Sequence, residues 1–312
     1  MTTGDAPPVT VVIPTRNRGD SVVMTLQTLL TSNYRAFEVR VVDQSESDST
    51  EIAVKRLLGD ARIHYTRSAT RGLSAALNCG IGSAASEFIA ITGDDCAVGV
   101  DWLGTLTAAF AVNSKIGIVF GNVVSAPHDQ TLGFVPGYVR REAVLARSIR
   151  DAHLLGGTSA SMALRKSAWQ RLRGFDEMLG VGTPLGSAED TDLTIRALLE
   201  GHLVYETPDA VVIHHGFFPW DQRLLLIRRN WYGTGAAFAK WLKHGHFTVL
   251  QVLARLGWRW VLGRVSPVAS TLGHPSRGSI LAAFIRGFAA GAFAPIDRAS
   301  GHYEPFRTIR GR

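Results

Sequence analysis

Val9-Thr-Val-Val-Ile-Pro-Thr15, then Phe37-Glu-Val-Arg-Val-Val-Asp43, then Phe88-Ile-Ala-Ile91 stopping at Gly93-Asp94-Asp95, decide the fold. The first is a β-branched run closed by a proline, which suits a buried strand whose hydrogen bonding stops there. A polar loop over 15–20 leads into residues 21–30, where Val22, Leu26, Leu29 and Leu30 recur at helical spacing. The second strand runs over 37–42 and ends at Asp43. The alternation continues with a helix over 49–58, a strand over 62–65, a helix over 73–84 and the strand over 88–91. It implies right-handed βαβ units around a mostly parallel sheet, an α/β fold with flanking helices. Open sheets of this kind gather ligands beyond the carboxyl ends of their strands, here Thr15, Asp43 and Asp94-Asp95.

Further on, residues 117–124 read as a strand, 166–172 and 190–200 as helices, and 211–213 as a strand ending in His214-His215. The loop between them, 125–155, is long enough to be a lid or to carry substrate contacts. Past about residue 220 the chain turns rich in Trp, Leu, Ala and Arg with little strand pattern, which predicts an appended helical region over 221–312.

The chain has 312 residues, 46% of them hydrophobic, enough to bury a sizeable core. That composition excludes a disordered or collagen-like chain, and 2 Cys exclude a disulfide framework. A reduced, cytoplasmic setting is the expectation, and residues 1–8 carry no export-signal pattern. Charge divides unevenly. Residues 1–205 hold 19 Lys and Arg against 21 Asp and Glu, whereas residues 206–312 hold 14 against 5. The C-terminal excess suggests an anionic partner. No zinc-site, helix-turn-helix or RNP-like pattern accompanies it, so nucleic acid is not expected. Arg286 interrupts the apolar stretch 278–296, and Arg255, Arg259 and Arg264 interrupt 247–268, so a spanning helix is not expected either. Arg255 and Arg259 share one helix face while Leu250, Leu253, Leu256, Trp260 and Val261 form another. Such a helix lies peripherally in a lipid interface or packs on its own domain.

Asp94 and Asp95, leaving a strand at the ligand-bearing edge, suit oxygen coordination of Mg²⁺ or Mn²⁺ on a diphosphate, or a solvated turn. Asp43 suits hydrogen bonds to a base or ribose. Neither a Gly-x-Gly-x-x-Gly turn nor a P-loop follows the first strand. In Glu189-Asp-Thr-Asp192 one carboxylate can cap the next helix while Asp190 faces a substrate as general base. His214-His215 can supply an imidazole to a metal or be structural. Cys79 and Cys96 read as small buried residues.

In order along the chain, Val11-Val-Ile-Pro-Thr-Arg-Asn-Arg18, Val41-Val-Asp-Gln-Ser45, Arg71-Gly-Leu-Ser-Ala-Ala-Leu-Asn78, Gly93-Asp-Asp95, Gly174-Phe-Asp-Glu177 and Ala188-Glu-Asp-Thr-Asp-Leu193 resemble the motifs of family 2 glycosyltransferases. The resemblance spans roughly residues 9–220. It implies a GT-A fold, a nucleotide-sugar donor, a divalent cation (Mg²⁺ or Mn²⁺) and inversion at the anomeric carbon by direct displacement. It divides residues 1–220 into a nucleotide-sugar half, about 9–125, and an acceptor half, about 126–220. Donor contacts fall on Pro14, Thr15, Asn17, Asp43, Asn78 and Asp94, and the cation on Asp95 with His214. Asp190 matches the catalytic base. Gly156, Gly157 and Glu189 line the acceptor, with Trp231 from Arg228-Arg-Asn-Trp-Tyr-Gly-Thr-Gly235 beside them. Two positions depart from the family's pattern: Gly93 replaces the first carboxylate of Asp-x-Asp, and Arg16 stands where many relatives have an aromatic residue. The basic tail points to a lipid-linked or cell-envelope glycan as acceptor. The alternatives are a soluble small molecule, or a nucleotide-sugar-binding protein without catalysis.

Overall fold

β1 (Val9–Thr15) is the strand around which the sheet grows, because its side chains alternate between two cores. Val11 and Ile13 enter one and Val12 the other, all fully buried. The computed structural model describes residues 6–261 and 277–305, with backbone alone over 258–261. β2 (Phe37–Asp43) and β4 (Phe88–Thr92) pair parallel on the two sides of β1, and β3 (Ile63–Arg67) pairs parallel with β2. The β1–β4 pairing ends at Val12 and Ile91, so Pro14, which has no N–H to give, lies where β1 has one neighbour only. Helices α1 (Gly19–Leu30), α2 (Ser49–Lys55), α3 (Leu73–Ser83) and α4 (Trp102–Ala109) flank these strands. A Cβ on Gly80 of α3 would stand 2.5 Å from Val12 Cγ1, so the missing side chain lets α3 lie tight on the sheet.

The second half adds β5 (Cys96–Val98), β6 (Ile116–Ser125), β7 (Gly133–Phe134), β8 (Val144–Ala146), β9 (Ser161–Arg165), β10 (Leu203–His214) and β11 (Phe218–Pro219). The nine-stranded sheet runs β3-β2-β1-β4-β9-β6-β10-β5, with β8 beside β10, while β7 and β11 pair separately. The expected α/β architecture holds. Pairing is parallel through β3-β2-β1-β4 and between β6 and β10, and antiparallel where β9, β5 and β8 join. Outside the long loop, four elements were not foreseen: β5, α4, β9 and β11. The expected long loop contains β7, β8 and a 3₁₀ turn over Ile149–Leu154. The strand expected over 211–213 begins at Leu203, and its pairing with β6 shifts register between Glu206 and Val211, around Pro208.

Helices α5 (Lys166–Arg171) and α6 (Glu189–Leu199) precede the C-terminal helices α7 (Arg223–Lys243), α8 (Val249–Val261) and α9 (Arg277–Phe293). These last three are helical as expected, and α7 and α8 share a core with α6 and the loop before it: Met178, Leu179, Leu185 and Ile195 pack with Ala236, Phe238, Trp241 and Val249. A fully buried Lys240 pins α7 there, with Nζ 2.7 Å from Asp176 Oδ2 and 2.6 Å from Asp192 Oδ1. Trp241 Nε1 donates to the same Asp192 oxygen at 3.0 Å, and Arg196 Nε to the other at 2.9 Å. The helix expected at a lipid interface packs in part on its own domain. Val249 and Val252 of α8 are buried, Leu253 and Leu256 lie against the same core, and Leu250 remains exposed. The side chains of Arg259, Trp260 and Val261, and all of Arg264, lie outside the described residues. α9 crosses α7 at backbone contact, since a Cβ on Gly287 would stand 1.9 Å from Tyr232 O. No helix among the described residues is long and apolar enough to cross a membrane.

Candidate active site

The carboxyl ends of β1, β4 and β10 converge on Asp94, Asp95 and His214. Thr15 Oγ1 donates to Asp94 Oδ2 at 2.8 Å. Arg18 Nη1, from the loop after β1, bridges Asp94 Oδ1 at 3.2 Å and Asp95 Oδ2 at 2.7 Å. On the other side, His214 Nε2 lies 3.4 Å from Asp95 Oδ1, while its Nδ1 meets Pro136 O at 2.8 Å. The backbone N–H of His215 donates to Asp95 O at 2.8 Å, which fixes the two strand ends together. Burial pushes the Asp94 carboxyl up and Arg18 pulls it back, with the balance above the usual range. Burial pushes Asp95 up as well, but its bond to His214 and the Arg18 charge carry it below that range. For His214, burial opposes protonation and Asp95 outweighs it, so its pKa is raised.

These groups fit a hard divalent cation. With Nδ1–H donating to Pro136 O, loss of the Nε2 proton would leave a lone pair there for a cation, the arrangement of a metal-ligating imidazole. A Cβ on Gly216 would stand 2.6 Å from His214 Nε2 and 2.8 Å from Asp95 Oδ2, so glycine keeps the space beside both side chains clear. Among the described residues no cluster of three or more His, Cys, Asp or Glu could hold a metal. A cation here would take further oxygens from a bound diphosphate. The Arg18 side chain, 49% exposed, lies beside both carboxylates.

Asp43 is fully buried. Its Oδ1 accepts from Ser45 N at 2.8 Å and from the Ser45 hydroxyl, and its Oδ2 from Tyr65 OH at 2.6 Å. Asn17, in the left-handed region at φ 57°, is exposed, and its N–H donates to Ser45 Oγ at 2.7 Å. The Asn17–Ser45–Asp43 chain thus joins the loops after β1 and β2. Pro14 is half-buried between Ile13 and Thr15. Asn78 is used within the protein: its amide donates to Phe175 O at 2.9 Å and Glu177 Oε1 at 3.0 Å and accepts from Phe175 N at 2.8 Å. It ties α3 to the Gly174–Glu177 loop.

Asp190 sits in the first turn of α6. Its Oδ1 accepts from Thr191 N at 2.6 Å and its Oδ2 from Ser159 N at 3.4 Å. The next residue, Ala160, accepts from Thr92 Oγ1 at 2.9 Å, so Asp190 is linked through the two residues just before β9 to the strand end that leads to Asp94. The residue before the helix is Ala188 at φ 75°, and no side chain caps α6, so the expected capping carboxylate is not there. Burial raises both Asp190 and Glu189; Asp190's charge lifts Glu189 further, and N–H bonds moderate Asp190. Gly156 and Gly157 donate N–H bonds at 2.8 and 2.7 Å to Glu206 Oε1. The room a side chain would need is taken by Tyr138 at Gly156 and by Phe120, 2.3 Å away, at Gly157, so close packing accounts for both glycines. Trp231 packs edge-on to Phe284, centroids 6.5 Å apart, in a small cluster with Phe134, Leu226 and Ile227.

Residues 10–172, more than half of the chain, match the glycosyl transferase family 2. The chain belongs to that family. The glycosyltransferase is 27% identical to the pre-mycofactocin glycosyltransferase of Mycobacterium tuberculosis, over 96% of this chain and 66% of that protein. It is 28% identical to the succinoglycan biosynthesis protein ExoO of Rhizobium meliloti, over 67% of this chain and 61% of that protein. The chain therefore spans just under two thirds of either relative. Its fold is that of the mannosyltransferase PcManGT from Pyrobaculum calidifontis, solved with GDP-Man and Mn²⁺: TM-score 0.62, 21% identity, 92% of this chain and 87% of that one. Staphylococcus aureus TarS 1–349 with UDP gives TM-score 0.53 at 20% identity, over 77% and 72% of the two chains. The GT-A expectation is met.

Several residues that shape this glycosyltransferase's site were not read from the sequence. Arg18 lay within a quoted motif, yet nothing local to it signals a bridge to Asp94 and Asp95. Glu206, 1% exposed, holds Tyr138, Arg140 and the two glycine N–H groups. Lys240 had a visible signal: a lysine inside Ala236-Ala-Phe-Ala-Lys-Trp241 must be buried with a partner. Cys96 is buried, which pushes its thiol up to about 12 and leaves it unreactive. Cys79 is half-buried.

Proposed function

We propose that the glycosyltransferase moves a sugar from a nucleoside diphosphate donor to a hydroxyl of a lipid-linked or cell-envelope glycan, with inversion and with Mg²⁺ or Mn²⁺. The observation that carries this is the joining of two parts: the Thr15–Asp94–Arg18–Asp95–His214 cluster at the strand ends, and Asp190 linked to it through Ser159 and Thr92. Asp95 and His214 would hold the cation, which when bound offsets the negative charge on the diphosphate leaving group. Thr15, Asp94 and Asn17 would orient the nucleoside, with Pro14 as a wall. Asp43 and Asn78 would act on the donor pocket by fixing the loops around it, since their polar atoms already have protein partners. Arg18 has guanidinium N–H groups to donate to phosphate oxygens once the carboxylates it bridges are otherwise engaged.

In the transfer, the acceptor oxygen attacks the anomeric carbon from the face opposite the leaving group. The bond from that carbon to the diphosphate oxygen breaks, and the acceptor proton passes to Asp190. Burial suits Asp190 to this, because a carboxylate raised in pKa is a stronger base. Glu189 and Trp231 would bound the acceptor side, with Gly156 and Gly157 acting on it only through the chain they fix to Glu206. The name of the relative that serves succinoglycan biosynthesis supports a glycan acceptor, while that of the pre-mycofactocin glycosyltransferase supports transfer of a sugar.

The test is nucleotide release from UDP-, GDP- and dTDP-sugars with Mn²⁺ or Mg²⁺. One donor is expected to be cleaved by the wild type and not by Asp95→Ala. No cleavage of any donor, and no thermal stabilisation by any, would favour a protein without catalysis.

A further inference from the structure

Arg18 can leave the strand-end cluster by turning its side chain alone. Its backbone is fixed on both sides: its carbonyl accepts from Val22 N at 3.0 Å in the first turn of α1, and the N–H of the preceding Asn17 is tied to Ser45 Oγ at 2.7 Å. Its side chain is half open to solvent and reaches Asp94 Oδ1 and Asp95 Oδ2 through Nη1 only. Nε and Nη2 have no protein partner among the described residues. The two carboxylates are far less accessible, their side chains 10% and 15% exposed, so charge beside them is weakly screened.

Two carboxylates and one guanidinium leave a single negative charge at this end of the sheet. Gly93 adds none, and a Cβ there would stand 3.0 Å from Asp95 Oδ1. A divalent cation held by Asp95 is held beside the guanidinium that donates to its Oδ2, and like charges so close repel. A diphosphate acts the other way. Its oxygens are strong acceptors for guanidinium N–H groups, and drawing Arg18 off the carboxylates returns both of them to the cation. Equally, a cation that takes over the carboxylates frees Arg18 for phosphate. Each ligand favours the other, and linkage requires the two effects to be equal.

We propose that Arg18 is a positioning residue that couples the two ligands: it competes with the cation for Asp94 and Asp95 until a diphosphate takes its guanidinium, so that cation and nucleotide enter as a pair. The inference rests on the cation site proposed above and makes filling of that site conditional on the diphosphate. An arginine that merely stabilised the strand ends would affect unfolding and leave both affinities alone. One that repelled the cation without moving to phosphate would affect the cation alone.

The test measures Mn²⁺ binding to the full chain by electron paramagnetic resonance without nucleotide, and binding of UDP, GDP and dTDP by calorimetry with and without Mn²⁺. Arg18→Met is expected to bind Mn²⁺ alone at least tenfold tighter than the wild type. It should bind nucleotide alone as the wild type does, and nucleotide with Mn²⁺ at least tenfold more weakly, the same factor appearing in both arms. Arg18→Lys keeps the charge and should leave binding of Mn²⁺ alone as weak as in the wild type. Thermal unfolding checks that each variant is folded, with Arg18→Gln as a second neutral variant. Mn²⁺ bound no tighter by the folded neutral variants, or an undiminished gain in nucleotide affinity from Mn²⁺, would overturn the role of Arg18 alone. A wild type that binds Mn²⁺ with none of the three nucleotides would remove the cation site on which it rests.

Discussion

Asp190 and Asp192 stand two positions apart on one helix and have opposite surroundings. Asp192 is fully buried among Arg196, Lys240 and Trp241, and these charges outweigh its burial to hold it far below the usual carboxylate range. Asp190 has only N–H groups and the Thr191 hydroxyl, and burial lifts it. The sequence presents them as equal members of Glu-Asp-Thr-Asp, because their partners come from α7, some fifty positions on, and from the loop before β9. On this account Asp190→Asn lowers the transfer rate by about 10²- to 10⁴-fold, the typical contribution of a general base, with donor binding retained. Asp192→Asn should act on unfolding instead. In a pH series the acid limb of transfer belongs to Asp190 and lies above the ordinary aspartate value of about 4. A limb at that ordinary value would contradict the raised pKa.

At the scale of elements, the strands and helices of the first hundred residues could be read because each has its own periodicity and its own closing residue. β9 escaped because Ser161-Met-Ala-Leu-Arg165 is short and is a strand only by virtue of β4 and β6 on either side. β10 was read in part because Pro208 and the register shift interrupt its pattern. The C-terminal helices were legible as helices, but their attachment was not. It depends on two non-local features that can be tested separately. Lys240→Met leaves Asp176 and Asp192 without their shared cation and is expected to cost about 3–5 kcal/mol in chemical unfolding, as for other broken buried pairs. Gly287→Leu would drive a side chain into the Tyr232 carbonyl and force α9 off α7. A lowered unfolding midpoint with donor binding intact is the expected result, and an unchanged midpoint would contradict the close crossing.

For the molecule as a whole, the shared core and the ion network make the C-terminal helices part of the same folded unit as α6, and thus of the surroundings of Asp190. That coupling has a pH signature. His302 is mostly buried beside Arg196, Lys240, Asp176 and Asp192, its Nε2 has no partner, and burial followed by the Arg196 charge lowers its pKa from 6.5 to about 4. The unfolded chain therefore takes up this proton first as pH falls. Stability should decline between about pH 6.5 and 4, by at most about 3 kcal/mol from this group, and level off below that until carboxylates such as Asp192 protonate. His302→Gln should flatten the decline in thermal melts. The fold class and the strand-end residues were legible along the chain, whereas the ion network exists only once distant helices meet.

In the proposed function, Asp95 and His214 form half of a cation site that a diphosphate completes. Mn²⁺ binding by electron paramagnetic resonance, with and without a nucleoside diphosphate, tests it most directly in the wild type, Asp95→Asn and His214→Ala. Tight Mn²⁺ binding is expected only with the nucleotide present, and it should be lost in both variants. Mn²⁺ bound equally well by both variants would contradict it.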